Sequence, residues 1–209
     1  MLAKFQKRKL GEEILHELKE HWPFTALATL IAVVIFGFLM NRSNIGLYTE
    51  SLFDIFHPAH IFFSSIVSAA IFYKYRKKML LALAASFGIA IFMATISDVI
   101  FPYFGGIAFG IPISFHLPFI EEPIMICGVA ILGSLFGIIW NKTKFPHLAH
   151  VLISVLASLL YIFAYGIVLN AFSLVLIFII VFLAVIVPCC IGDIVLPLIL
   201  NSRIRGGKD

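Results

Sequence analysis

Six apolar runs, each near the length that crosses a bilayer, decide what this chain can fold into. They cover residues 24–40, 57–73, 80–100, 123–140, 147–166 and 172–199. A transmembrane helix needs about 20 largely apolar residues. In lipid every backbone N–H and C=O must be satisfied inside the segment, so such runs fold as helices. The last run is long and contains Pro188, which predicts a kink or break there. Of 209 residues, 62% are hydrophobic and 12% charged, against about a half and about a quarter in a soluble domain. One core of this size could not hide so much apolar surface from water. A soluble enzyme and a disordered chain are both excluded.

The charges between the runs predict a topology. With six spans and a cytoplasmic N-terminus, every Lys and Arg except Arg42 falls on the cytoplasmic side, as the positive-inside rule requires. The net charge of +4 therefore reflects membrane orientation and not a nucleic-acid partner. Residues 101–120 carry no Lys, Arg, Asp or Glu, but they hold Gly105, Gly106, Gly110, Pro102, Pro112 and Pro118. They are expected to form a loop, with a re-entrant path open to it, and not a seventh span. A seventh span would move Lys142, Lys144, Arg203, Arg205 and Lys208 outside.

The expected organisation is an amphipathic cytoplasmic-surface helix over 1–22 and a three-helix unit over 23–103. An extracytoplasmic loop over 104–122, a second three-helix unit over 123–199 and a cytoplasmic tail over 200–209 follow. Leu10, Ile14, Leu15, Leu18 and Trp22 recur at helical spacing among charged neighbours, the pattern of a surface helix. No small-residue cleavage site follows a short apolar core, so this segment is not read as a signal peptide. The location expected is the cell or inner membrane, with both termini cytoplasmic. Cys127, Cys189 and Cys190 sit in apolar stretches without a C-x-x-C and are expected to be small buried apolar side chains.

The two units resemble each other in three ordered blocks. At a shift of 100, Pro23 matches Pro123, Phe36-Gly37 matches Phe136-Gly137, and Asn41-Arg42 matches Asn141-Lys142. At a shift of 90, His57-Pro-Ala-His60 matches His147-Leu-Ala-His150, and Ser64 and Ser68 match Ser154 and Ser158. At a shift of 95, Ile96-Ser-Asp98-Val-Ile-Phe-Pro102 matches Ile191-Gly-Asp193-Ile-Val-Leu-Pro197. Three spans per unit reverse the orientation of the second, which is the inverted-topology repeat of many secondary transporters. The fold class expected is an all-α integral membrane protein of two inverted three-helix repeats plus the N-terminal amphipathic helix.

The chemistry lies in the few polar groups within the apolar runs. Only Asp98 and Asp193 are charged there, and they occupy matched positions. A charge at the bilayer centre costs at least ~2.5–3.5 kcal/mol, which makes such residues functional candidates. Both are expected near the C-terminal ends of their helices, where the dipole disfavours an anion and calls for a compensating proton, cation or imidazole. His57 and His60, and His147 and His150, are each one helical turn apart. Imidazole and carboxylate together suit Zn, Mn, Fe, Co or Ni, and they also suit proton relay. By topology His57, His60 and Asp98 are expected near one face, with His147, His150 and Asp193 near the other. Broken helices at Pro102, Pro188 and Pro197 are the alternative that would bring them together. His116, Glu121 and Glu122 precede the fourth span as further candidate ligands, or as a helix cap.

The function expected is secondary transport of a cation, a divalent transition metal first. Its partners are the lipid bilayer, a metal ion or proton, and a second copy of the chain in a homodimer. The alternatives are an intramembrane metal-dependent enzyme of hydrolase type and a non-catalytic subunit of a larger membrane complex. Against an enzyme stand the absence of H-E-x-x-H, of a G-x-S-x-G elbow and of a P-loop. With no P-loop, no nucleotide cofactor is expected.

Overall fold

The computed structural model describes residues 10–42, 44–75, 77–140, 144–167, 171–192 and 196. Among them every extended regular element is a helix, and the only extended pairing is the isolated bridge between Ile113 and Gly166. Helix α1 is Leu10–Arg42, and a 3-10 turn over Asn44–Tyr48 leads into α2, Thr49–Tyr75. Helix α3, Met79–Thr95, continues through a π turn, Ile96–Ile100, into α4, Phe101–Ala108. After a short α5, Pro118–Glu121, come α6, Pro123–Trp140, and α7, Lys144–Tyr165. Helix α8, Ala171–Val187, ends in a second π turn, Pro188–Gly192.

Three helical stretches are long and apolar enough to cross a membrane: Gly46–Lys74, Met79–Ala108 and Pro123–Trp140. Shorter apolar helices cover Thr25–Leu39, Ala149–Tyr165 and Phe172–Val187. Polar groups share the interior with an apolar core that includes Phe53, Ile61, Val155 and Ile177, and large aliphatics also cover the outside. Ser64, Ser68, Ser86, Ser97, Asp98, Ser134, Ser154 and Ser158 are wholly buried, while Leu80, Ile124 and Ile139 are 79%, 88% and 82% exposed. An outer surface of large aliphatics around an interior that holds buried serines and a carboxylate suits a lipid solvent.

Several boundaries differ from those the sequence suggests. Helix α1 passes through Pro23 without a break, so residues 10–22 belong to the same helix as the apolar run and are not a separate helix. Residues 1–9 and the tail lie outside the described residues. Helix α2 starts at Thr49, two turns before the apolar run at 57, which places His57 and His60 inside the helix. The helix over the third apolar run does not stop at 100 either. Pro102 has no N–H to give the carbonyl of Asp98 four residues back, and the ladder widens into the π turn and resumes as α4. Residues 101–108, expected in a loop, are therefore helical, and Asp98 lies within a long helical stretch and not at its end. That stretch closes at Gly110, where φ is +71°. Ile111 N–H bonds Gly106 O at 2.8 Å and Gly110 N–H bonds Ile107 O at 3.0 Å, a Schellman cap. The break expected at Pro188 coincides with the end of α8.

Helix α2 is the hub and packs on α3, α6 and α7, while α1 packs on α7 and α8 and α6 on α3. Helix α6 comes close to the α2 backbone. A Cβ at Gly133 or Gly137 would collide with the backbone carbonyl of Phe62 or Ile66 on α2. This G-x-x-x-G face lets two backbones meet. Beside it the hydroxyls of Ser86 on α3 and Ser134 on α6 lie 2.7 Å apart in a buried contact.

Candidate functional site

The polar interior assembles on facing stripes of α2 and α7. Phe53, His57, His60, Ser64 and Ser68 recur every three or four residues on α2, and His150, Ser154, Ser158, Tyr161 and Tyr165 do so on α7. Phe53 meets Tyr161 and Tyr165 while His60 meets His150, so the two helices run antiparallel. Into this seam the π turn after α3 delivers Asp98, which is fully buried. A widened turn of this kind re-aims a side chain, and it recurs at functional sites.

Asp98 spans both stripes. Its Oδ2 accepts from His57 Nδ1 at 2.9 Å and from His60 Nδ1 at 2.7 Å. Its Oδ1 accepts from Ser97 Oγ at 2.6 Å, and Ser154 Oγ and Ser158 Oγ each lie 3.4 Å from it. Ser158 Oγ also donates to the carbonyl of Ser97, in the widened turn, at 3.0 Å. A carboxylate can only accept, so both imidazoles carry their proton on Nδ1 when neutral and keep a lone pair on Nε2.

The free edge of His60 faces a second group of donors. Cys189, delivered by the π turn that follows Pro188, places Sγ 3.7 Å from His60 Nε2 and 3.1 Å from Ser154 Oγ. The ring of His150 stacks on that of His60 at 4.6 Å. One ligand atom from each of His60, His150 and Cys189 lies within 4.8 Å of the others, so the cluster could hold a metal ion. Of the two arrangements the sequence left open, clusters apart on opposite faces or brought together by broken helices, the second describes His60 and His150. His150 and His60 share one seam, because α2 begins earlier than hydropathy suggests and a broken helix brings in Cys189. Asp193 and the side chain of His147 lie outside the described residues.

His116, Glu121 and Glu122 do not join this centre. They line a cavity of about 360 Å³ at the end of the bundle where α2 and α6 begin, together with Glu50, Asp54, Pro58, Pro118 and Met125. His116 Nδ1 pairs with Glu121 Oε1 at 2.9 Å. Between this acidic vestibule and Asp98 stands an aromatic plug. Phe53 stacks on His57 at 5.4 Å and meets His116 edge-on at 6.0 Å, and Tyr165 stacks on His116 at 4.4 Å. Tyr161, also buried, receives the backbone N–H of His116 on its hydroxyl at 3.1 Å.

Cys189 is the site residue that sequence reasoning missed, having assigned it to apolar packing. The signal available was its place next to Pro188, at a helix break, four residues before Asp193. Comparison of the chain with protein-family models, with curated proteins and with solved structures finds no match.

Proposed function

We propose that this chain is a secondary transporter moving a cation, a divalent transition metal, between two inverted three-helix repeats. The observation that carries the reading is the stacking of His60 on His150. The two are repeat mates at a shift of 90. Repeat mates that touch each other sit where a two-fold axis would pass, as in an isologous interface. The helix packing supports this. Exchanging α1, α2 and α3 for α6, α7 and α8 turns the α2–α6 contact into α7–α1, α2–α3 into α7–α8 and α1–α8 into α6–α3, and all six contacts occur. Under this reading α1, α2, α3, α6, α7 and α8 are six spans, with the N-terminus inside.

A site closed on every side and built by both halves needs a rearrangement to load and unload, which inverted repeats supply by exchanging conformations. Asp98 gives the compensating charge, and His57, His60 and His150 give neutral ligands or proton acceptors. Asp193 and His147 hold the matched positions in the second repeat. The acidic vestibule with His116, Glu121 and Glu122 is the mouth that gathers cations. Flux of a panel of divalent ions into proteoliposomes, with pH followed inside, tests the reading. No flux for any ion at any imposed gradient would overturn it.

One observation favours a second reading. Three protein donors beside an orienting carboxylate, with a cavity at one end of the bundle, also match a hydrolytic metal site with an open position. Turnover of ester or peptide substrates in the absence of flux would select it.

A further inference from the structure

We infer that His60, His150 and Cys189 are the ligands of a metal centre selective for borderline-to-soft divalent ions, Zn2+ and Co2+, over Mn2+ and Mg2+. The inference deepens the transport reading by naming the ion class, and it rests on that reading for how an ion reaches a closed interior. Four observations carry it.

The first is distance. Tetrahedral Zn2+ with bonds of about 2.0–2.1 Å to nitrogen and about 2.3 Å to sulfur sets its N and S donors roughly 3.6 Å apart. His60 Nε2 and Cys189 Sγ are 3.7 Å apart. The second is orientation. A ligating histidine usually gives its other N–H to a carboxylate, which fixes the tautomer and raises ligand basicity. His60 gives Nδ1–H to Asp98 at 2.7 Å and so presents Nε2 to the cluster.

The third is charge. All three donors and Asp98 are buried. A thiolate and a carboxylate sharing His60 and Ser154 as neighbours together neutralise a divalent ion, which a closed interior demands. The fourth is donor type. Mg2+ requires near-octahedral oxygen ligation. The oxygens of Asp98 are already engaged by His57, His60 and Ser97. Imidazole and thiolate favour Zn2+ and its neighbours.

The test is Co2+ titration of the purified full-length protein in detergent micelles. The wild type is expected to bind one ion per chain with a near-ultraviolet thiolate-to-cobalt charge-transfer band, and Zn2+ is expected to displace it where equal Mn2+ or Mg2+ does not. Cys189→Ser should abolish the band, whereas Cys127→Ser should keep it. Asp98→Asn should weaken Co2+ binding about 10–100-fold, the usual effect of losing an orienting carboxylate. Absence of the band from wild-type protein at saturating Co2+ overturns the proposal without reference to any variant. Its persistence in Cys189→Ser protein that melts like the wild type, or its displacement by Mn2+, does so too. The transport reading fails separately. A thiolate band without flux sinks transport and leaves the site, and Mn2+ flux without a band does the reverse.

Discussion

The ring of His60 lies on that of His150 with centroids 4.6 Å and planes 28° apart. One histidine comes from the first H-x-x-H and the other from its repeat. Around this pair the seam is asymmetric in the described state. Asp98 holds His57 and His60 through Nδ1, and Cys189 stands at the Nε2 edge of His60. The arrangement binds His60 to the carboxylate through Nδ1 and sets its Nε2 against the thiol of Cys189.

Replacing Asp98 by Asn should therefore damage function more than folding. Asparagine keeps the shape and one acceptor oxygen but removes the charge that strengthens the two imidazole bonds, each worth about 1.5–3 kcal/mol when one partner is ionised. Flux is expected to fall to background in proteoliposomes, with membrane insertion and elution in detergent unchanged. Asp193→Asn is expected to do the same. Wild-type flux in both variants would remove the carboxylates from the mechanism.

The glycines of α6 make a prediction with an internal control. A side chain at Gly137 meets the backbone carbonyl of Ile66, which cannot yield without moving a helix. Gly137→Val should destabilise by about 1–3 kcal/mol or more, as overpacking does. Gly88 on α3 has open space around it. Gly88→Ala should be neutral or stabilising, by up to about 1 kcal/mol from helix propensity. Thermal melts in one detergent check both signs, and equal melting temperatures would contradict the α2–α6 approach.

Ser86 and Ser134 bridge α3 and α6 through hydroxyls 2.7 Å apart. Each also has a carbonyl within reach in its own helix, Ala82 for Ser86 and Ala130 for Ser134, at 2.7 Å. The interhelical bond is thus replaceable, and its coupling should be near the ~0.6 kcal/mol average for such pairs in membranes. A double-mutant cycle on Ser86→Ala and Ser134→Ala measures it. A coupling several times larger would show that the local carbonyls do not compensate.

Much of this was legible in the sequence, and the misses have physical causes. Asp98 and the histidine pairs stood out because charge and imidazole are costly in apolar runs. The helix break at Pro188 followed from a missing N–H. Hydropathy misplaced the ends of the spans. Glu50 and Asp54 lower the local average, yet they extend α2 by lining a vestibule at its start, and Pro102 widened a helix where a loop was expected. Those shifts left open whether His60 and His150 stand apart or meet. Cys189 is buried in apolar packing as expected, but its place beside His60 could not be read, since a buried thiol looks the same in sequence whether it packs or ligates. The Gly133–Gly137 face was open to reading from its four-residue spacing alone.

Phe53 separates the vestibule from the buried centre, and removing its ring should unseal it. Phe53 is wholly buried and touches the rings of His57, His116, Tyr161 and Tyr165. Phe53→Ala should cost about 3–5 kcal/mol as a core truncation. In a background lacking Cys127 and Cys190 it should speed modification of Cys189 by a water-soluble thiol reagent. Ser154 and His60 cover the thiol from other sides, so labelling should remain slower than for a denatured control. An unchanged rate would mean that the route to Cys189 does not pass Phe53.

The vestibule should act on capture and not on the buried step. Glu50, Asp54, Glu121 and Glu122 share one cavity with His116 as its only basic side chain among the described lining residues. A concave site of one sign raises the local concentration of counter-ions, and salt screens it over a Debye length of about 10 Å at 0.1 M and about 3 Å at 1 M. Glu121→Gln also breaks the pair with His116, leaving that ring to its contacts with Tyr165 and Phe53. Glu50→Gln touches neither. Both substitutions should raise the KM for a divalent cation at low ionic strength and leave the maximal flux unchanged. The difference from wild type should shrink as inert salt is added. Initial rates of flux at several salt concentrations check this. A loss of maximal flux that salt does not alter would place these carboxylates in the translocation step and not at its mouth.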